Sequence, residues 1–306
     1  MHLERLYQSL RKTLLSQPLI HGDETTVQVL KEPGKTAQSQ SYMWLYRSGQ
    51  DSAEPVVLFD YQPGRGKQYL QTFLADYKGM VMSDGYSAWR AIKGVTHFGC
   101  LAHARRGFVE VLKTQKKPGK RAQQALEFFQ RLYRVEALAR EKPPSGETRA
   151  AYTLRLRQQH SVPLLEAFKA RLDEQAPQVP PESSLGNAIS YTLNQWEYLS
   201  RYVADGRAPV DNNIAERDIR PFAMGRSLCT SFRNLDKHRD LSVGIVATRA
   251  MFACQRRRNS FALQIACPDL PWGVRHHLLG RQHSLLDQTA DHVTGYAKAF
   301  RCLEHR

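Results

Sequence analysis

Nowhere does the sequence hold the roughly twenty consecutive apolar residues needed to span a bilayer. Its opening residues, MHLERLYQSLRKTLLSQPLI, lack the charged-then-apolar layout of a secretory signal. Cysteine is scarce: five residues, an odd number at irregular spacing, do not make a disulfide framework. A helical membrane span and a disulfide-stapled secreted module are therefore not expected, and a cytoplasmic protein is the simplest reading. Acidic residues are also in short supply, with 29 Asp and Glu against 44 Lys and Arg, a net charge of +15. Such a surplus concentrates polyanions, of which nucleic acid is the commonest, although many basic proteins attract only counterions.

What the sequence does contain is a sequence of changes in periodicity. Leu3, Leu6, Leu10 and Leu14 lie three or four apart, one face of an amphipathic helix that Pro18 ends. Thr25, Val27 and Val29 then alternate with polar residues in a strand pattern over Ile20 to Leu30. Two further strands follow across short turns, the aromatic-rich Tyr42 to Tyr46 and then Pro55 to Asp60. Leu70, Phe73, Leu74 and Tyr77 have helical spacing, and the apolar run from Gly79 reads as a buried strand stopping at Asp84-Gly85. A helical turn over Ala88 to Ile92, a fifth strand over Val95 to Leu101 and a helix over Ala104 to Leu112 complete the series. Three hairpin-linked strands followed by two reached through helical crossovers predict an α/β fold. Its mixed five-stranded sheet carries helices and has the strand order of ribonuclease H-like folds.

Past the basic run Lys116-Lys117-Pro118-Gly119-Lys120 the spacing is helical nearly to Tyr202. One helix is expected over Ala122 to Ala139 and a second over Thr148 to Gln175, interrupted near Pro163. Ser183 or Ser184 caps a third, whose stripe runs from Leu185 through Trp196 to Val203 and ends on a left-handed Gly206. The expected organisation is a lead-in helix (1–20), a first part of the sheet domain (21–112), an all-helical insertion (113–200) and a final core part (201–226). In that last part Asp211 caps a short helix that Pro221 stops. From residue 227 to 306 the composition shifts to four of the five cysteines and six of the eleven histidines. Periodicity is poor there apart from Leu241 to Phe252, and the tail is expected to be atypical, the product of a frameshift.

Three acids carry the chemistry. Asp23 lies on the first strand and Asp84 ends the fourth, neighbours at the centre of a ribonuclease H-like sheet. Glu216 sits on the helix after the insertion, with Asn212 and Arg220 on the same face. Carboxylates from two strands and a helix can hold two Mg²⁺ ions, with Mn²⁺ substituting, because both are hard cations that take oxygen ligands. Such a pair stabilises the attacking and leaving oxygens of a phosphodiester. A plainer assignment stays open for each: Asp23 capping a turn, Asp84-Gly85 an ordinary turn pair, Glu216 a surface partner of Arg220.

The wording around the acids narrows the choice. HGDETTVQVL, SDGYSAW followed by THFGCLAHARRGF, and DGRAPVDNNIAERDIRPFAMGR resemble transposases of the insertion sequence 66 family. SSLGNAISYTLNQWEYLSRY carries the resemblance into the insertion, and with gaps it runs from about residue 3 to 226. The resemblance implies that Asp23, Asp84 and Glu216 are the metal-binding catalytic triad of a DDE transposase, which cleaves element ends and transfers their 3′-hydroxyls into target DNA. It also implies DNA as partner, a homo-oligomer assembled on it, accessory proteins of the same element and a bacterial, nucleoid-associated setting. Two rivals remain: a ribonuclease H-like nuclease or resolvase that cuts without joining, and an inactive remnant that only binds DNA or intact transposase.

Cys100-x-x-His103 has the spacing of half a zinc site, but no matching pair lies nearby, so packing or local hydrogen bonding is the expected role. The resemblance implies that this segment supports the active site. Arg105, Arg106, Arg217 and Arg220 are candidate phosphate contacts and Asn212 and Asn213 candidate supports, against the alternative of a solvated face. Trp44, Trp89 and Trp196 are expected in the core. Cys254 and Cys267 have poor spacing for a metal. Because family members carry an upstream region with helix-turn-helix and zinc-binding features, a chain starting at the lead-in helix is expected to be N-terminally truncated.

Overall fold

The computed structural model describes residues 2–29, 34–36, 38–114 and 119–228. Helix α1 (His2–Leu15) leads into β1 (Leu19–Gln28), which pairs antiparallel with β2 (Gln40–Ser48). β2 pairs antiparallel with β3 (Val57–Gln62). After helix α2 (Lys67–Phe73) the chain returns to the other side of β1 as the parallel strand β4 (Met80–Ser83). One helical turn, α3 (Ser87–Arg90), then leads to β5 (Thr96–Gly99), parallel to β4. The resulting order, β3-β2-β1-β4-β5, is the mixed ribonuclease H-like sheet expected from the sequence. Each parallel strand is reached through a crossover that carries a helix, α2 ahead of β4 and α3 ahead of β5.

Side chains alternate across β1. Leu19 joins Met80, Met82 and Phe98 in a core shared with α4 (Leu101–Thr114), whereas Ile20 joins Trp44, Tyr46 and Val81 in a core shared with α1, α2 and α3. Trp44 and Trp89 are fully buried in the second core and meet edge to face, so neither is available to stack on a base. Trp196 is partly buried against the first core. Gly22 is where the backbone of β1 approaches the Trp89 ring: a Cβ there would sit 1.9 Å from it. Gly22→Ala is therefore expected to destabilise the fold by about 1–3 kcal/mol, the usual cost of overpacking. Urea unfolding measures this, and an unchanged midpoint would show that the Trp89 pocket yields freely.

The chain after α4 is helical: α5 (Lys120–Ala139), α6 (Arg149–Leu156), α7 (Val162–Gln175), α8 (Ser184–Asn194) and α9 (Trp196–Ser200). Phe129, Leu132, Phe168 and Ile189 extend the core that α4 makes with the sheet, so these helices share the core of the sheet domain. The expected interruption before Pro163 is a π-helical turn, Arg157–Ser161. Proline has no N–H to return to the preceding turn, and the wider turn lets Val162 bond back to the Arg157 carbonyl instead. Arg157 is buried there, donating twice to Glu136 at 2.9 and 2.7 Å and to the carbonyls of Tyr202 and Asp205.

Three local expectations are corrected. The third helix of the insertion, capped by Ser183 through the Gly186 N–H, breaks at Gln195 into α8, α9 and a 3-10 turn at Arg201–Ala204. Gly206 is not left-handed, since the positive-φ glycines among the described residues are Gly34, Gly94 and Gly146. Glycine is needed at 206 for close approach, because a Cβ would lie 1.8 Å from the Ala150 carbonyl. Finally, α10 (Asn213–Leu228) passes through Pro221. The proline costs the helix one hydrogen bond, but Ala215, Ile219 and Phe222 pack on Val27, Met43, Leu45 and Phe59 on either side of it. The expectations for the helix at Leu241 to Phe252, for Cys254 and Cys267 and for a frameshifted tail lie outside the described residues. Among the described residues no helix is long and apolar enough to cross a membrane.

Candidate active site

The parallel register sets Leu19 level with Met80 and His21 level with Met82. Continued by two residues, it brings Asp23 level with Asp84. Alternation then puts both on the side of the sheet where Leu19, Met80 and Met82 meet α4. Helix α10 packs against β1 and carries Glu216 in its first turn. The acids lie within electrostatic reach of one another: burial foremost, and the charges of Glu24, Asp84 and Glu216, push the Asp23 carboxyl up to about 7.

Each carboxylate is fixed. Asp23 Oδ1 accepts the Glu24 N–H at 2.9 Å, and Asp84 Oδ1 accepts the Tyr86 N–H at 2.9 Å, an Asx turn formed as the strand ends. Glu216 is held from α4, where Arg106 donates to Oε2 at 2.8 Å and His103 Nδ1 lies 3.3 Å from Oε1.

The start of α10 is laced to the sheet and to α4. Leu101 N–H bonds to the Val210 carbonyl, and the Asn212 N–H bonds to Cys100 Sγ at 3.1 Å. Asn212 is fully buried. Its Nδ2 donates to the Gly22 carbonyl at 2.8 Å and its Oδ1 accepts from His21 Nδ1 at 2.9 Å. Burial pushes His21 down to about 4, so the ring is neutral at physiological pH with its proton on Nδ1. Farther along, Arg47 of β2 donates to Asp218 at 3.0 Å, and Tyr133 of α5 donates to Asp211 Oδ2 at 2.9 Å.

Comparison with known proteins bears on what this arrangement is for. The sequence model described as Transposase IS66 family matches residues 1–239. The chain belongs to the IS66 transposase family. That match runs beyond Arg226, where the motif resemblance stopped. The chain is 32% identical over 238 residues to Uncharacterized protein y4jD of Sinorhizobium fredii (strain NBRC 101917 / NGR234), covering 73% of this chain and 45% of that protein. It is 30% identical over 221 residues to Uncharacterized protein y4qI of the same organism, covering 68% of this chain and 39% of the relative. It thus spans less than half the length of these relatives. No solved structure matches it significantly.

Within this transposase-family chain the residues anticipated from sequence divide into two groups. Asp23, Asp84, Glu216, His103, Arg106, Cys100 and Asn212 gather at the junction of β1, β4, α4 and α10. Arg105, Asn213, Arg217 and Arg220 are exposed on the same two helices. Glu216 pairs with Arg106, not with Arg220, so Arg106 is already engaged by a carboxylate. Asp211, expected to cap this helix, lies one residue ahead of the cap position: its carboxylate accepts the Asn213 N–H, while the Asn212 carbonyl accepts the first helical bonds from Ala215 and Glu216.

Sequence reading missed Glu24. It points to the opposite face of β1 from Asp23, where it accepts from Arg65 Nε and from Trp89 Nε1, each at 2.9 Å. The adjacent acids in HGDET were the available signal, because alternation sends them to opposite faces; the partners at 65 and 89 were not visible. The insertion's contribution was also missed. Beside Asp84 opens a groove of about 590 Å³ whose lining includes Arg65, Tyr86 and His103 and, from α8, Asn187 and Tyr191. Arg90, just past Asp84, donates to Gln195 at 2.9 Å and stacks on Tyr198, 3.6 Å from the ring centroid. The helices after α4 thus buttress the loop that carries Asp84.

Proposed function

We propose that the chain is the catalytic part of a DNA transposase, acting on DNA in the bacterial cytoplasm, with Asp23, Asp84 and Glu216 as ligands of two Mg²⁺ ions. The reaction is cleavage of phosphodiesters at element ends and joining of the freed 3′-hydroxyls to target DNA. What carries this reading is the convergence of three carboxylates from β1, β4 and α10, with burial and neighbouring acids dominating the environment of Asp23. An all-oxygen donor set of this kind fits a hard divalent cation. Bound there, the ions would supply Lewis acidity at the phosphodiester oxygens and lower the pKa of the attacking water or 3′-hydroxyl.

The chain's own residues do the rest. Arg106 holds one oxygen of Glu216 and leaves the other for a ligand role. Asn212 and the neutral His21 hold α10 in register with β1, and so fix the reach of Glu216. Arg105, Arg217 and Arg220 are exposed beside the site and bind phosphates, aided by the +15 net charge. Calorimetric Mn²⁺ titration of the chain beside Asp84→Ala tests the reading. Heat in the wild type that disappears in a variant with an unchanged circular dichroism spectrum is the expected result. Equal heats in the two proteins would sink it.

A further inference from the structure

By sequence, Cys100-x-x-His103 is half a metal site; the fold supplies the missing part. Cys100 immediately precedes α4 and His103 lies in its first turn, a spacing that puts both on one side of the helix start. The start of α10 is bonded to that point through Leu101 to Val210 and Asn212 to Cys100, which brings up Glu216. Cys100 Sγ, a ring nitrogen of His103 and a carboxylate oxygen of Glu216 all lie within 4.8 Å of one another. A second observation points to the same spot. His103 Nδ1 and Glu216 Oε1 are buried atoms 3.3 Å apart, and neither makes a properly directed hydrogen bond.

We infer that Cys100, His103 and Glu216 form a second cation site, one that takes a thiophilic ion such as Zn²⁺ and withdraws Glu216 from the magnesium triad. Sulfur, nitrogen and oxygen from three residues, completed by water, is the donor set of an open zinc site, whereas Mg²⁺ takes oxygen and rejects thiolate. Arg106 occupies Glu216 Oε2, leaving Oε1 for the ion. The groove beside Asp84 reaches His103 and gives the ion its entry. On binding, the Cys100 thiol gives its proton to solvent and the thiolate becomes the ligand, so affinity rises with pH. The competition for Glu216 depends on the proposed function; the site itself does not.

Cobalt(II), which takes zinc sites and reports sulfur ligation by a thiolate-to-metal charge-transfer absorption, separates the two. Titrated into the full chain, Co²⁺ is expected to produce that absorption at one equivalent. Cys100→Ala should abolish it and weaken binding by more than the ~10–100-fold typical of an outer-shell change. His103→Gln, which leaves the buried thiol in place, should weaken it as well and serves if Cys100→Ala does not fold. No charge-transfer band in the wild type, or a band undiminished in both variants, overturns the site. One equivalent of Zn²⁺ is expected to remove the Mn²⁺ heat of the wild type by taking Glu216; heat that persists in zinc-loaded wild type overturns the shared use of Glu216. A wild type with no Mn²⁺ heat at all counts against the triad, while the cobalt band still decides the thiolate site.

Discussion

Asp23→Asn is expected to abolish Mn²⁺ binding and metal-dependent DNA cleavage while raising the melting temperature of the metal-free chain at neutral pH. The two effects share one cause. In the folded chain burial and the neighbouring acids hold the Asp23 carboxyl up to about 7, against ~3.9 for an unfolded aspartate. A raised folded value means that the native state binds the proton more tightly than the unfolded chain does. The contribution of Asp23 to stability is therefore fully present below pH ~4 and is lost as pH rises to about 7. At ~1.4 kcal/mol per tenfold change in ionisation constant, the loss is on the order of a few kcal/mol, less the cost of burying the asparagine amide. Melting curves of wild type and variant from pH 4 to 8 should diverge with rising pH, and Mn²⁺ should raise the wild-type curve alone. Parallel curves, or equal stabilisation of both proteins by Mn²⁺, would remove Asp23 from the site.

Breaking the buried Glu136–Arg157 pair is expected to produce the largest loss of stability. Both side chains are more than nine-tenths buried, and Arg157 donates two bonds to the carboxylate and two to backbone carbonyls just ahead of α10. Glu136→Ala strands a guanidinium in the interior, at a cost of about 3–5 kcal/mol. For a chain of this size that corresponds to a fall in melting temperature of roughly 5–8 °C. The double change Glu136→Leu with Arg157→Met removes both charges and should recover most of the loss, because apolar replacement of a whole buried pair is often neutral. Thermal melts of the three proteins decide it. A single variant that melts with the wild type would show that water reaches the pair.

The sheet was legible from end to end. Period-two alternation marked β1, the aromatic run marked β2, and an apolar run ending at an acid and a glycine marked β4, so the order of elements alone predicted the topology. The three acids proposed as metal ligands stood out because they sit at the points that topology makes special: mid-strand on β1, the end of β4 and the first turn of the helix after the insertion. Local rules failed where distant packing outweighed them. Pro221 does not stop α10, because apolar contacts on both sides of it hold the helix to the sheet. Gly206 is a glycine for the sake of the Ala150 carbonyl, which no local pattern reveals.

By itself, then, the sequence determined the fold class, the positions of the three acids and the family, since each is written in short-range periodicity or contiguous motifs. Only the tertiary structure decided which groups surround those acids. That Arg106 holds Glu216, that Asn212 is buried against Gly22 and His21, and that Cys100 and His103 lie beside Glu216 are contacts between residues about 110 to 190 positions apart. Sequence spacing carries no information on such pairs, because they form only when two helix starts are closed onto one strand.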